Sequence, residues 1–456
     1  MVSEATGPAG IEVRRYDSLE ALGPLGQALD ELNRQSRRPT PFATLPYLRT
    51  FLANDEYAGT KEVYRPLLLL AFEGGRPIGA LAMRRLRGRW LGLPADRLEF
   101  LVTHDNERPR MACREADERR CAEAFLRHLL TRERRFSMLE WMEQEATSPL
   151  AQAASGASGC YVRTYPNHSN ATIECRWASV AEFYRSLSKN YRASTRSQVG
   201  RLLSQGRVEF VSSWEPEAAA RLLDLHLGVE ARSWKGPAAA GISRHPRRVA
   251  FFRELCRADQ PMRLSVRLLL IDGAPVASEV NGAFGDTWYS IEGAYDEDFK
   301  DCGPGHLLFL MTMREGLAKG VAAVNLLNNY AYYKRRLGAT VTETDAVQVF
   351  RPWTPLWAKA QLGALRRRIL GAKPTQADAD HNLEKPRTDE GEAPRAARPD
   401  RTALARETAE VLESCAGMIE RVDGAALLEI TGQRSDGSPK PAERAAKPGR
   451  ERAPAP

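Results

Sequence analysis

No apolar run in this chain approaches the ~18–20 residues that a membrane-spanning helix needs, so no such segment is expected. The opening stretch MVSEATGPAGIEV has neither a basic n-region nor an apolar h-region, which argues against a secretory signal. Cysteine is sparse. The seven residues Cys113, Cys121, Cys160, Cys175, Cys256, Cys302 and Cys415 are scattered, and their number is odd. No CxxC or Cys/His grouping has the spacing of a zinc site. These absences predict a cytoplasmic protein with reduced thiols and no bound metal.

At 456 residues the chain exceeds one ordinary hydrophobic core, so two or three domains are expected. Its 43% hydrophobic and 27% charged residues are those of a soluble globular protein. Charge is distributed unevenly. From Gly371 onward there are 14 basic and 16 acidic residues out of totals of 66 and 58, leaving 52 basic and 42 acidic in the body. A basic body favours anionic partners such as phosphates, cofactors, nucleic acid or anionic lipid, unless it is simply a solvated basic surface.

Hydrophobic periodicity predicts a mixed α/β fold of two similar halves. In the first, LLLLAFE and RPIGALAMRRL flank Gly74-Gly75 as a hairpin, ADRLEFLVTH adds a strand, and helical spacing runs through Cys121, Phe125 and Leu129 to the strand FSMLEWMEQ. In the second, three helical stretches precede a hairpin about Asp272-Gly273. The strand DTWYSIEGAYD, an apolar helix, the strand VAAVNLLN, the short helix YAYYKRRLGA and a last strand TETDAVQVFR follow. The expected boundaries are a tail over 1–10, a first domain over 11–172 and a second over 173–352. A basic amphipathic helix is expected over 353–372, then a largely unstructured tail over 373–456 with a partner-binding helix at 402–423.

The stretch Lys300-Asp301-Cys302-Gly303-Pro304-Gly305-His306 opens the apolar helix of the second half. The first N–H groups of a helix lack internal partners and carry partial positive charge, so they can hold a phosphate. Gly303 and Gly305 would leave room for its approach, and Pro304 suits a helix start. Cys302 beside a helix N-terminus would have a lowered thiol pKa. His306 there would be disfavoured in its charged form.

The order hairpin, strand, Gly-rich turn, helix, strand, helix ending in Gly resembles a GNAT acyltransferase. Lys300-x-x-Gly303-x-Gly305 is similar to that family's Q/R-x-x-G-x-G/A pyrophosphate turn, with Lys in place of Gln or Arg. Further segments resemble the CelD-like acyltransferases, a FemAB-related branch with two GNAT-type domains in tandem. They are PFATLPYLRTF, LLLLAFEGGRPIGALAMRRL, LSKNYRASTRSQVGRLLSQGRVEF, SWKG, CGPGHLL and YYKRRLG, spread over 11–352. Asn325 and Asn328-Asn329 stand where that family often has Asp, and Leu337 where it often has Trp.

The resemblance implies a fold of two tandem GNAT-like domains, each a mostly antiparallel mixed sheet flanked by helices, the first without a phosphate turn. It implies acyl-CoA as donor, held by Lys300, Cys302, Gly303, Gly305 and His306, and direct attack by an amine. Glu292, in the strand before the turn, is the first candidate base; the alternative is a surface carboxylate. Tyr333 and Lys334 are candidates for the acid, or a packed Tyr and a solvated Lys. Arg192 and Arg196, four apart on one helix face, Trp234, Glu279 and Asn325 are candidate acceptor contacts. The acceptor would be an amine on a small molecule or glycan precursor, in envelope polysaccharide synthesis. Two other readings stay open. One is FemAB-like aminoacyl transfer from charged tRNA. The other is a non-catalytic scaffold at the inner membrane face, docked through the Trp353, Trp357, Leu362, Leu365 and Ile369 helix.

Overall fold

A computed structural model describes residues 10–54, 63–102, 106–133, 135–238, 241–328, 332–370 and 400–433. Its strands in chain order are β1 (Ile11–Tyr16), β2 (Val63–Glu73), β3 (Arg76–Trp90), β4 (Leu93–Phe100), β5 (Ala112–Cys113), β6 (Met138–Gln144), β7 (Tyr161–Pro166), β8 (Asn170–Glu174), β9 (Val208–Ser213), β10 (Arg263–Ile271), β11 (Ala274–Phe284), β12 (Thr287–Tyr295), β13 (Ala323–Asn325), β14 (Thr340–Thr342), β15 (Asp345–Phe350) and β16 (Glu420–Asp423). The helices are α1 (Leu25–Arg34), α2 (Leu45–Ala53), α3 (Glu118–Thr131), α4 (Pro149–Ser155), α5 (Val180–Ser186), α6 (Lys189–Leu203), α7 (Pro216–Arg232), α8 (Lys235–Ala238), α9 (Pro246–Leu255), α10 (Pro304–Ala318), α11 (Tyr332–Arg336), α12 (Pro355–Leu370), α13 (Arg401–Ser414) and α14 (Ala425–Thr431).

Two mixed, mostly antiparallel sheets result. The first runs β1-β2-β3-β4-β6-β15-β7, with β5 beside β3, and the second runs β14-β8-β13-β12-β11-β10-β9-β16. The halves repeat as the sequence predicts: a hairpin, a third strand, a helix, and a strand parallel to the third (β4 with β6, β12 with β13). The architecture is therefore two tandem GNAT-like units.

The continuous apolar runs follow from where these strands sit. Leu68, Leu70 and Phe72 of β2 enter the same core as Leu264, Val266, Leu268 and Leu270 of β10. Leu67, Leu69 and Ala71 point the other way, into a core with α3. Leu269 and Ile271 point into a core with α5, α6 and α10. A strand buried on both faces shows no polar alternation. Between the sheets, α1, α2, α7 and α9 share one core that includes Phe42 against Tyr289 (centroids 5.5 Å apart) and Tyr47 against Phe251 (5.5 Å).

Three sequence expectations need correction. The last strand, placed with the second half, is β15 of the first sheet, paired with β6 and β7. Val347 and Val349 fill that sheet's core, and strand periodicity carries no information about which sheet a strand joins. The single helix expected over 402–423 is instead α13 and β16, with α14 following them. Glu420–Asp423 pairs with the edge strand β9, whose open backbone groups favour an added strand over a helix. Leu412, Cys415, Leu427 and Ile430 are buried there, so part of the expected tail is packed structure. Finally, the helical stretch before Gly206 is split into α5 and α6, because Ser188 accepts a bond from the Tyr191 N–H and caps a new helix. The rest of the expected tail, 371–399 and 434–456, lies outside the described residues, as do residues 1–9.

One buried polar link ties the units. Asn328 Nδ2 donates to Glu143 Oε1 (2.6 Å) and to the Asn106 carbonyl (3.2 Å), and the Arg108 N–H donates to Glu143 Oε2 (2.8 Å). Glu143, Arg108 and Leu327 all have positive φ (53°, 38° and 57°), conformations that cost free energy unless the surroundings hold them. Burial pushes the Glu143 carboxyl up to about 7, against the pull of these donors. A carboxyl raised on folding stabilises the fold below its ordinary range, and that contribution is lost as pH rises through about 7. Glu143→Ala is expected to cost about 1–3 kcal/mol in chemical denaturation, with a penalty that shrinks as the pH rises through about 7.

Candidate functional site

Strands β12 and β13 are parallel over only three rungs, Thr287–Tyr289 against Ala323–Asn325. Beyond them β12 continues to Tyr295, while β13 turns away. The Leu326 N–H donates to the Ala171 carbonyl (2.8 Å), and the Ala171 N–H donates to the Leu327 carbonyl (3.2 Å). Backbone pairing between the two strands therefore stops at Tyr289 and Asn325, and this unpaired stretch is the β12/β13 gap. Asn325 builds the turn-away: its Oδ1 accepts from the Leu327 N–H (2.8 Å) and from Asn170 Nδ2 (3.2 Å). The register shift between Val280/Glu292 and Asn281/Ser290 makes Ile291 the extra residue of a β-bulge, an irregularity that leaves backbone polar groups unpaired.

The gap leads to the N-terminus of α10. Gly303 caps that helix in the left-handed conformation (φ 58°), and a Cβ there would lie 2.4 Å from the Gln198 side chain. Gly305 is open: an added Cβ would meet nothing closer than Tyr295, at 3.7 Å. Lys300 is exposed at the edge of the turn. Cys302 requires a correction, because its thiol is buried in the core with Phe299 and Leu307, and burial pushes its pKa up, not down. His306 is half-buried, its ring 6.1 Å from that of Tyr191, and burial, helped by the nearby Arg336 charge, lowers its pKa. The helix is anchored from behind. Glu315 of α10 accepts from buried Arg267 of β10 (2.9 Å), whose guanidinium lies over Trp214 and Trp288. Burial opposes the Glu315 charge, but Arg267, Lys319 and Trp214 hold its pKa at about 2.

Lys334 of α11 forms the opposite lip. It is buried, and its Nζ donates to the Leu326 (2.6 Å) and Asn328 (2.7 Å) carbonyls. Burial lowers its pKa to about 8. The neighbouring Tyr333 lies in α11, but its side chain is outside the described residues.

Glu292 faces the core between the sheets. Its carboxylate pairs with Lys235 and with Arg248 (3.1 Å). Burial opposes its charge, but the two cations win and lower its pKa. Beside it, buried His226 of α7 meets Ser278 Oγ through Nδ1 (2.9 Å). Its Nε2 and Glu230 Oε1 are buried without hydrogen-bond partners among the described residues. Burial lowers the His226 pKa to about 4, so the ring is neutral near pH 7.

The structure thus groups Glu292 with Trp234, which is half-exposed next to Lys235. It separates them from Glu279, Arg192 and Arg196. Glu279 accepts from Ser290 (2.8 Å) and from Thr312 of α10 (2.7 Å), on the other face of the sheet. Arg192 donates to the Arg185 and Leu187 carbonyls and so caps the end of α5. Arg196 lies on the same helix, α6, which packs against α10. Sequence reasoning paired Lys235 with Trp234 at the border of the acceptor pocket, but it did not identify Arg248 or His226. The i, i+4 spacing of His226 and Glu230 on one helix was the available signal. Asn325, together with Arg38, Arg108, Arg110, Asp286 and Tyr289, lines a cavity of about 260 Å³ between the two units.

No curated relative matches the chain. Among solved structures it is similar to FemX, at 10% identity over 73% of this chain and 96% of that one, with a TM-score of 0.48. It is also similar to a tandem GNAT protein from the clavulanic acid biosynthesis pathway, at 15% identity over 74% and 98%, with a TM-score of 0.42. A third similarity is to the C-terminal domain of a putative lysylphosphatidylglycerol synthetase from Agrobacterium fabrum, at 11% identity over 77% and 100%, with a TM-score of 0.42.

The two glycines give a contrast to measure. Gly303→Ala is expected to lower stability by about 1–2 kcal/mol through the left-handed backbone alone, with the Gln198 collision adding to it. Gly305→Ala is expected to leave the thermal midpoint unchanged or slightly higher, since Ala is the better helix former. Residues 189–335, which contain the gap, the α10 turn, Glu292 and Lys334, match the model of the acetyltransferase (GNAT) domain family.

Proposed function

We propose that this protein is an acyl-CoA-dependent N-acyltransferase of CelD-like type that acts on an amine of a small molecule or glycan precursor. The observation that carries this reading is the β12/β13 gap ending at the open Gly305 turn of α10. An extended, amide-bearing thioester arm fits such a gap by pairing with free strand backbone. Its diphosphate would meet the α10 N-terminal amides, with Lys300 as an added point charge. Donors for the developing oxyanion would come from backbone at the Ile291 bulge.

In the reaction the amine nitrogen attacks the thioester carbonyl, the C–N bond forms and the C–S bond breaks. The amine proton passes to Glu292 or to water beside it, and the leaving thiolate takes a proton from Lys334. Lys235 and Arg248 make Glu292 a weak base that stays ionised near neutrality, so it also anchors the incoming ammonium. Lys334, poised at about 8, suits the acid role because it is still largely protonated at pH 7. The first unit would contribute the Arg38, Arg108 and Arg110 wall of the acceptor cavity.

The test is thiol release from acetyl-CoA and longer acyl-CoAs across an amine panel. Lys334→Met and Glu292→Gln are each expected to cut kcat about 10²–10⁴-fold. The parent rate should fall as pH rises through about 8, and that limb should be missing in Lys334→Met. Transfer from aminoacyl-tRNA alone, with steep loss in salt, would overturn the acyl-CoA reading.

A further inference from the structure

The large apolar side chains exposed on the described surface are Leu91, Trp234, Trp353, Leu362, Leu365 and Ile369, and four of the six lie on α12 or the turn before it. Trp353 is 89% exposed, Ile369 74% and Leu362 67%, values that no core-facing residue approaches. At 100° per residue, Leu362, Leu365 and Ile369 fall within about 60° of one another on the helix. The opposite face does the packing: Leu356 and Ala360 are buried against Ala95, Met138 and Phe350 of the first sheet. The helix is therefore apolar on two sides and anchored by one. Exposed Leu91, with φ 51°, sits at the tip of the β3–β4 hairpin, and Lys359 Nζ donates to its carbonyl (3.0 Å). That bond places the hairpin tip beside α12.

Charge identifies the occupant. From Trp353 to Leu370 there are four Lys/Arg and no Asp or Glu. Exposed Arg89 and Arg87 lie near the hairpin tip. A second copy would set this basic face against itself in any two-fold contact, which like charges disfavour. An apolar stripe flanked by cations matches an anionic lipid surface, where the stripe enters the acyl boundary and the cations meet headgroup phosphates. No described helix is long and apolar enough to span a bilayer, so the contact would be peripheral. We propose that α12 and the β3–β4 tip dock the protein on an anionic membrane face.

The full chain is tested by flotation with vesicles of phosphatidylcholine, with or without an equal share of phosphatidylglycerol. Expected is binding at least about tenfold stronger to the anionic vesicles, weakening as salt rises. The variant Leu362→Ser, Leu365→Ser, Ile369→Ser should lose about tenfold or more, with an unchanged thermal midpoint because these side chains are exposed. Arg366→Glu should weaken binding to the anionic vesicles alone. Three results would overturn the proposal. One is equal or absent binding to both vesicle types. Another is a triple variant that binds like the parent. The third is a dimer in free solution that the triple variant disperses, which would make the face a self-association surface.

Discussion

A late strand that returns from beyond the second unit to complete the first sheet is the constraint on which the rest of this structure depends. The first sheet needs β15, which the chain supplies only after completing most of the second. The second is built from the contiguous run β8–β14, with β16 added at the β9 edge. The first sheet cannot close from one contiguous half of the sequence. The core between them is shared as well, with Leu68 and Leu70 from one side meeting Leu268 and Leu270 from the other. Long-range pairings of this kind fold slowly, but they make the two units one cooperative body.

That coupling explains how a short strand can carry a site. With three residues, β13 has little stability of its own. It is held by β8, by the Asn325 turn, and by Lys334 gripping the carbonyls at its end. The gap beside it therefore persists as a shaped space. The electrostatics around it are arranged in two zones. On one lip a buried lysine is pushed toward neutrality by desolvation. On the interior face Glu292 stays charged because two cations outweigh the same desolvation. Opposite outcomes from one cause, burial, leave a lysine whose pKa is drawn toward neutrality and a carboxylate held in its charged form.

Much of this was legible in the sequence. Hairpins announced themselves through Gly74-Gly75 and Asp272-Gly273, and the α10 turn through Gly303 and Gly305. The order of elements sufficed for the tandem fold. What was not legible depended on partners distant in sequence. TETDAVQVFR reads as a strand, but only packing decides that Val347 and Val349 complete the first core. The apolar spacing near Leu412 and Cys415 reads as helix, but the open edge of β9 captures the following residues as a strand. Cys302 shows the same limit, since proximity to a helix start argued for a lowered thiol pKa and burial reversed it. Arg192 was read as an acceptor contact, but it is engaged by the α5 carbonyls two turns away. The cations that set the state of Glu292 come from α8 and α9, tens of residues upstream, and local spacing does not connect them.

The central claim is that a thioester donor lies in the β12/β13 gap with its phosphates on α10. Amide hydrogen exchange of the full chain, with and without acetyl-CoA, tests it most directly. The account expects slowed exchange at residues 303–307 and 326–328, with no change in the first sheet. Unchanged exchange at those residues under saturating acetyl-CoA, or protection confined to the first unit, would contradict it.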